Sequence, residues 1–179
     1  MKTNRIFTTV ALASSFALSA FGNNSQAPAG VSSGLEAQVR HELLMLPYFN
    51  VFENLTYKVD EGVVTLSGQV TQPITSHNAE IAIKHLPGVT QVNNQIEVLP
   101  LSPFDNRIRL ATLHAIYGFS PLERYGMGTQ PSIRILVKNG HITLAGVVRN
   151  ETDRNMAFLR ANGVAGVFSV ENELRVEHN

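Results

Sequence analysis

Residues 57–98 and 135–176 of this 179-residue chain align without a gap at a constant offset of 78, with 12 of 42 positions identical. The first copy reads YKVDEGVVTLSGQV and later LPGVTQVNNQIEV; the second reads ILVKNGHITLAGVV and later VAGVFSVENELRV. Gly62/Gly140, Gly68/Gly146, Gly88/Gly166 and Asn94/Asn172 are among the identities. A repeat of this length predicts two small domains of one kind, so function has to fit a tandem module.

The ends set further bounds. Lys2 and Arg5 precede an apolar stretch from Ile6 to Phe21, a charged n-region followed by an h-region. The stretch is shorter than the ~20 apolar residues that span a bilayer. A secretory signal is therefore expected over residues 1–29 together with a linker, cut after Gly22 or after Ala29. The chain has no cysteine, which excludes a disulfide framework and any Cys-ligated metal. An exported chain of this kind has to hold itself together by packing alone. A periplasmic location is the expectation.

The zero formal net charge conceals an asymmetry. Residues 31–100 hold three basic and seven acidic side chains, whereas residues 101–179 hold nine basic and seven acidic. Neither half reads as a dedicated nucleic-acid binder, and the uneven charge gives the two copies different electrostatic tasks.

Each copy reads as helix, strand, strand, helix, strand. Ser33 with Glu36 forms a capping-box pattern ahead of Leu35, Val39, Leu43 and Leu46 at helical spacing. Leu55, Tyr57 and Val59 alternate with polar residues, turn through Glu61–Gly62, and return as Val64, Leu66 and Val70. Pro73 opens a second helix with Ala79, Ile83 and Leu86 on its buried stripe, and Val92–Val98 closes the sheet. In the second copy Ser102 caps a helix running to about Tyr117. Strands follow at 132–138 and 141–148, then a helix at 152–162 and a strand at 170–176. The domains are expected at residues 31–99 and 102–177, joined by a short linker with two prolines. Units of about seventy residues bury only ~60% of their unfolded surface, so the pair is expected to pack together.

The order of a strand, Gly, x-Leu-x-Gly-x-Val, a helix, then Gly-Val-x-x-Val-x-Asn resembles the BON domain, found in bacterial osmotically inducible periplasmic and nodulation proteins. Gly62, Gly68, Gly88 and Asn94 carry it in copy one, and Gly140, Gly146, Gly166 and Asn172 in copy two. The resemblance implies an α+β fold of two tandem αββαβ units, each with two helices on a three-stranded sheet. It also implies a non-enzymatic envelope protein with no cofactor, associated with phospholipid and with envelope or osmotic stress. The signature residues themselves read as scaffold. The long segment 118–131 of copy two departs from the pattern.

Motifs for chemistry are weak. Gly30-Val31-Ser32-Ser33-Gly34 spells G-x-S-x-G, yet no strand precedes it as a nucleophile elbow requires. The six histidines lack metal-ligand spacing, since His77 and His85 are two turns apart and His41 belongs to no H-E-x-x-H. No catalytic or metal residue is expected. The sharper feature is the first helix of copy two. Ile108, Ala111, Thr112 and Ala115 suffice for a core stripe, and Leu110, Leu113 and Tyr117 form a second. Tyr125 and Met127 follow, with Arg107, Arg109 and Arg124 close by. That mixture suits an anionic phospholipid surface, where rings sit at headgroup level and guanidinium groups meet phosphate. The same stripe also suits the interface with domain one or an envelope protein partner held in a chaperone-like way. Arg134, Lys138, Thr143 and Arg175 are expected on the outer sheet face.

Overall fold

The structure, a computed structural model, describes residues 29–128 and 130–177; the expected signal segment from Lys2 to Phe21 lies outside them. Domain one runs α1 (Ala29–Leu44), β1 (Asn54–Asp60), β2 (Val63–Val70), α2 (Pro73–Lys84) and β3 (Gln91–Val98). Domain two runs α3 (Pro103–Tyr117), α4 (Ser120–Glu123), a 3-10 turn (Arg124–Gly126), β4 (Ile133–Lys138), β5 (His141–Val148), α5 (Glu151–Asn162) and β6 (Ser169–Val176). The architecture is α+β, two αββαβ units in tandem. Each sheet has its second strand central, antiparallel to the first and parallel to the third.

Two local expectations shift. Helix α1 starts at Ala29, so positions 33 and 36 lie inside it rather than at its first turn. A cap is worth about 1 kcal/mol, too little to stop a helix that continues upstream. Residues 120–126 of the long segment are not an open loop but fold into α4 and the 3-10 turn, with Pro121 at the start of α4 and Leu122 and Tyr125 turned inward.

The hairpins show why the repeat keeps its glycines. Glu61–Gly62 and Asn139–Gly140 each take positive φ at both positions (46° and 85°; 53° and 80°), the two-residue turn whose twist matches paired strands. Gly68 and Gly146 mark a closer constraint. A Cβ on Gly68 would sit 2.0 Å from the Asn54 carbonyl oxygen, and one on Gly146 1.9 Å from that of Ser132. Bare backbone is needed there for the first strand to lie against the second. Asn94 and Asn172 tie the last strand to the second helix, donating to the Ser76 and Arg154 carbonyls at 3.3 and 3.1 Å.

The helix starts use swapped chemistry. In domain one, buried Glu53 accepts from the Thr71 amide (3.0 Å) and the hydroxyls of Thr71 and Thr75 (2.9 and 3.4 Å). The repeat aligns Thr71 with Arg149 and Thr75 with Asp153. In domain two the Tyr125 hydroxyl accepts from the Arg149 amide at 2.9 Å and donates to Asp153 at 2.6 Å. The carboxylate has moved from the loop to the helix, and the hydroxyl from the helix to the loop. At α3 the Ser102 hydroxyl accepts from the Asp105 amide at 3.1 Å. Ser102→Ala is expected to cost about 1 kcal/mol in urea unfolding, the usual loss of an N-cap.

The domains touch chiefly through the segment between α1 and β1. The Ile135 amide, on the outer edge of β4, donates to the Val51 carbonyl at 2.9 Å. Arg134 donates to the Asn50 carbonyl (2.9 Å) and lies 4.7 Å above the Phe49 ring. Val51 and Phe52 pack on the core of domain two, although they precede every strand of domain one. Lys138 pairs with Glu97 on β3, and that bond, with one from Gln69, holds the Glu97 carboxyl below its ordinary range. Arg134 is therefore buried rather than on an open sheet face, and burial pushes its pKa down.

Candidate functional site

Helix α3 buries Asp105, Ile108, Arg109, Thr112 and Ile116; Ala111, expected in the core, is exposed. The face is rotated because a guanidinium and a carboxylate take core positions. Asp105 accepts from the amides of Asn139 (2.9 Å) and Gly140 (2.8 Å), pinning the start of α3 to the β4–β5 turn. Arg109 donates through Nη2 to the Val137 carbonyl at 2.7 Å. Further along, the Tyr117 hydroxyl donates to the Ile133 carbonyl at 2.6 Å. Together with Val51 on the Ile135 amide, these bonds cover the outer edge of β4 and protect it from pairing with another chain. Burial pushes the Tyr117 hydroxyl up to about 12, against the opposing pull of the Arg134 charge.

The eight residues expected to make the contact surface therefore divide. Arg109 and Tyr125 are buried and do not stand on the exposed flank of α3, a correction that follows from the edge bond of the one and the inward 3-10 turn of the other. Arg124 pairs with Asp153 and stacks 5.2 Å from the Tyr125 ring. Leu113, Tyr117 and Met127 come together, lining a groove of about 520 Å³ with Val51 and Pro131; His114 and Glu123 border it. Leu110 lies one turn from Leu113 on the same flank of α3 and is 45% exposed; Met127 is 72% exposed. Arg107 is exposed and lies 5.9 Å from the Phe104 ring.

Sequence reasoning missed an aromatic cluster at the other end of α3. Phe104 and Phe168 have ring centroids 6.1 Å apart, and His141 lies 5.8 Å from Phe168. Phe168 is 69% exposed. The available signal was a difference between the copies, since the repeat aligns Phe168 with Thr90. It also missed Val51, whose role in the groove depends on contact between the domains. His77 and His85 are surface residues, and the described residues contain no group of His, Asp and Glu able to hold a metal ion. No helix among them is long and apolar enough to cross a membrane.

A family model described as "BON domain" matches residues 32–100 and 122–178. Two solved structures of CdsD, a structural protein of the Type III secretion system of Chlamydia trachomatis, are similar over 80% of this chain. Each shares 13% identity at a TM-score of 0.32; the alignments cover 98% of the chain in the C-terminal-domain structure and 92% in the other. No curated protein matches the chain.

Proposed function

The chain belongs to the BON-domain family, and from that premise we propose a non-catalytic, exported envelope protein that docks on anionic phospholipid through α3. The observation that carries this reading is the exposed flank of α3. Leu110 and Met127 are exposed and Leu113 and Tyr117 partly so, with Arg107 exposed one turn before Leu110. Apolar side chains entering the acyl boundary with a cation at headgroup level is the physics of interfacial binding. Domain one, rich in carboxylates, packs behind and sets the orientation. A role in envelope or osmotic stress protection, in the periplasm, fits such a protein.

Residues 29–179 are expected to sediment with vesicles containing phosphatidylglycerol at low salt and to release as salt rises. Arg107→Ala should weaken binding about fivefold, the value of ~1 kcal/mol per basic residue at an anionic surface. Leu110→Asp should abolish it. Equal sedimentation with neutral vesicles, or none with either, would sink the reading. One observation favours a rival: the groove is concave and includes Val51 of domain one, a shape suited to a side chain of an unfolded envelope protein. That chaperone-like reading predicts capture of denatured clients without regard to lipid charge.

A further inference from the structure

A second cleft, of about 750 Å³, lies between the domains at the linker. Phe52, Thr71 and Gln72 wall it from domain one, Leu101 from the linker, and Asn106 and Arg109 from α3. It uses α3 residues upstream of the groove and shares no lining residue with it. Arg109 is 5% exposed, and its Nε is buried with no hydrogen-bond partner. Its one bond goes to the neutral Val137 carbonyl. The nearby carboxylate, Asp105, spends both oxygens on the amides of Asn139 and Gly140. Burial pushes the Arg109 pKa down while Asp105 pulls the other way. A buried guanidinium whose neighbouring carboxylate accepts no hydrogen bond from it keeps unmet donors, and a bound anion is a direct remedy. The volume falls within the usual range of small-molecule sites, larger than a bare inorganic ion needs.

We propose that this cleft binds an organic anion, with its carboxylate or phosphate group on the Arg109 guanidinium and its apolar body along Phe52 and Leu101. Because the walls come from both domains, the ligand clamps one on the other. The required chemistry is met by a free amphiphilic anion or by the end of a lipid, and the proposal stands apart from docking through the α3 flank.

Thermal unfolding of the full chain tests it, with octanoate, octyl glucoside and phosphatidylglycerol vesicles compared at matched ionic strength. A ligand present at roughly a hundredfold its Kd raises Tm by several degrees. Asn106→Trp fills the cleft from an exposed position without touching the core, and Arg109→Lys keeps the charge while removing Nε. The expected result is a gain with octanoate, absent with octyl glucoside, abolished in Asn106→Trp and reduced in Arg109→Lys. An Asn106-dependent gain with vesicles alone supports the same site with a lipid as the source. An equal gain with octyl glucoside, a gain that survives Asn106→Trp, or no gain with either anion overturns the proposal.

Discussion

Gly146→Ala will unfold domain two at denaturant concentrations where the native chain is still intact. Gly146 has φ of +122°, a region L side chains rarely adopt, and the new Cβ would lie 1.9 Å from the Ser132 carbonyl oxygen. The obstacle is backbone, so no rotamer change relieves it. Either β4 lifts away from β5, breaking the register from Ile133 to Lys138, or the central strand twists out of line. The expected cost is about 4 kcal/mol, at the severe end for a single substitution and comparable with the whole stability of a small domain. Gly68→Ala should do the same to domain one, where the approach is 2.0 Å at φ +115°. Gly163→Ala is the control, because the nearest atom to its Cβ is 3.6 Å away. Urea unfolding followed by amide exchange in each domain reads the result. A Gly146→Ala chain within about 0.5 kcal/mol of the parent, the range of an innocuous surface change, would refute the close-approach argument.

Asp153 carries the second large effect. Its carboxylate, 8% exposed, accepts from the Tyr125 hydroxyl (2.6 Å), Asn150 Nδ2 (3.0 Å) and Arg124. Burial raises its pKa, but the bonds from Tyr125 and Arg124 outweigh it, and the net value lies below the ordinary one. A depressed folded pKa means stability that is complete above the unfolded Asp value of ~3.9 and disappears as pH falls through the folded value. Asp153→Ala should cost about 3 kcal/mol at neutral pH, since it breaks a buried network and strips the inward Tyr125 of its acceptor. Asp153→Asn should lose less and flatten the decline in stability below pH 4. Urea midpoints measured between pH 7 and pH 2.5 check both. An unchanged acid limb in Asp153→Asn would show that the carboxylate is not the group responsible.

The parts of the fold legible in the sequence are those fixed over a few residues. The turns at Glu61–Gly62 and Asn139–Gly140, Pro73 at the first turn of α2 and Ser102 at the cap of α3 each declare themselves within one turn of chain. The repeat then doubled the hairpin-turn signal. What stayed hidden depends on distant partners. Arg109 reads as a surface cation until the Val137 carbonyl, 28 residues away, is placed beside it. Tyr125 reads as exposed until α4 and the 3-10 turn bring it to Asp153, also 28 residues away. The contact between Asn50 and Arg134 spans 84 residues and both domains. Of the candidate surface, the helical spacing of Leu110, Leu113 and Tyr117 was legible; the Val51 wall behind it was not, because no periodicity reports which domain fills a gap.

The bond from the Ile135 amide to the Val51 carbonyl changes what counts as a heritable unit in this chain. Duplication made two folds of one kind, yet the second now finishes its sheet edge with backbone from the first. A gene fragment encoding residues 102–177 alone would keep Tyr117 on Ile133 and Arg109 on Val137 but leave the Ile135 edge amide uncovered. Removing or transplanting either half would strip that amide of its partner, so the two copies are no longer interchangeable parts.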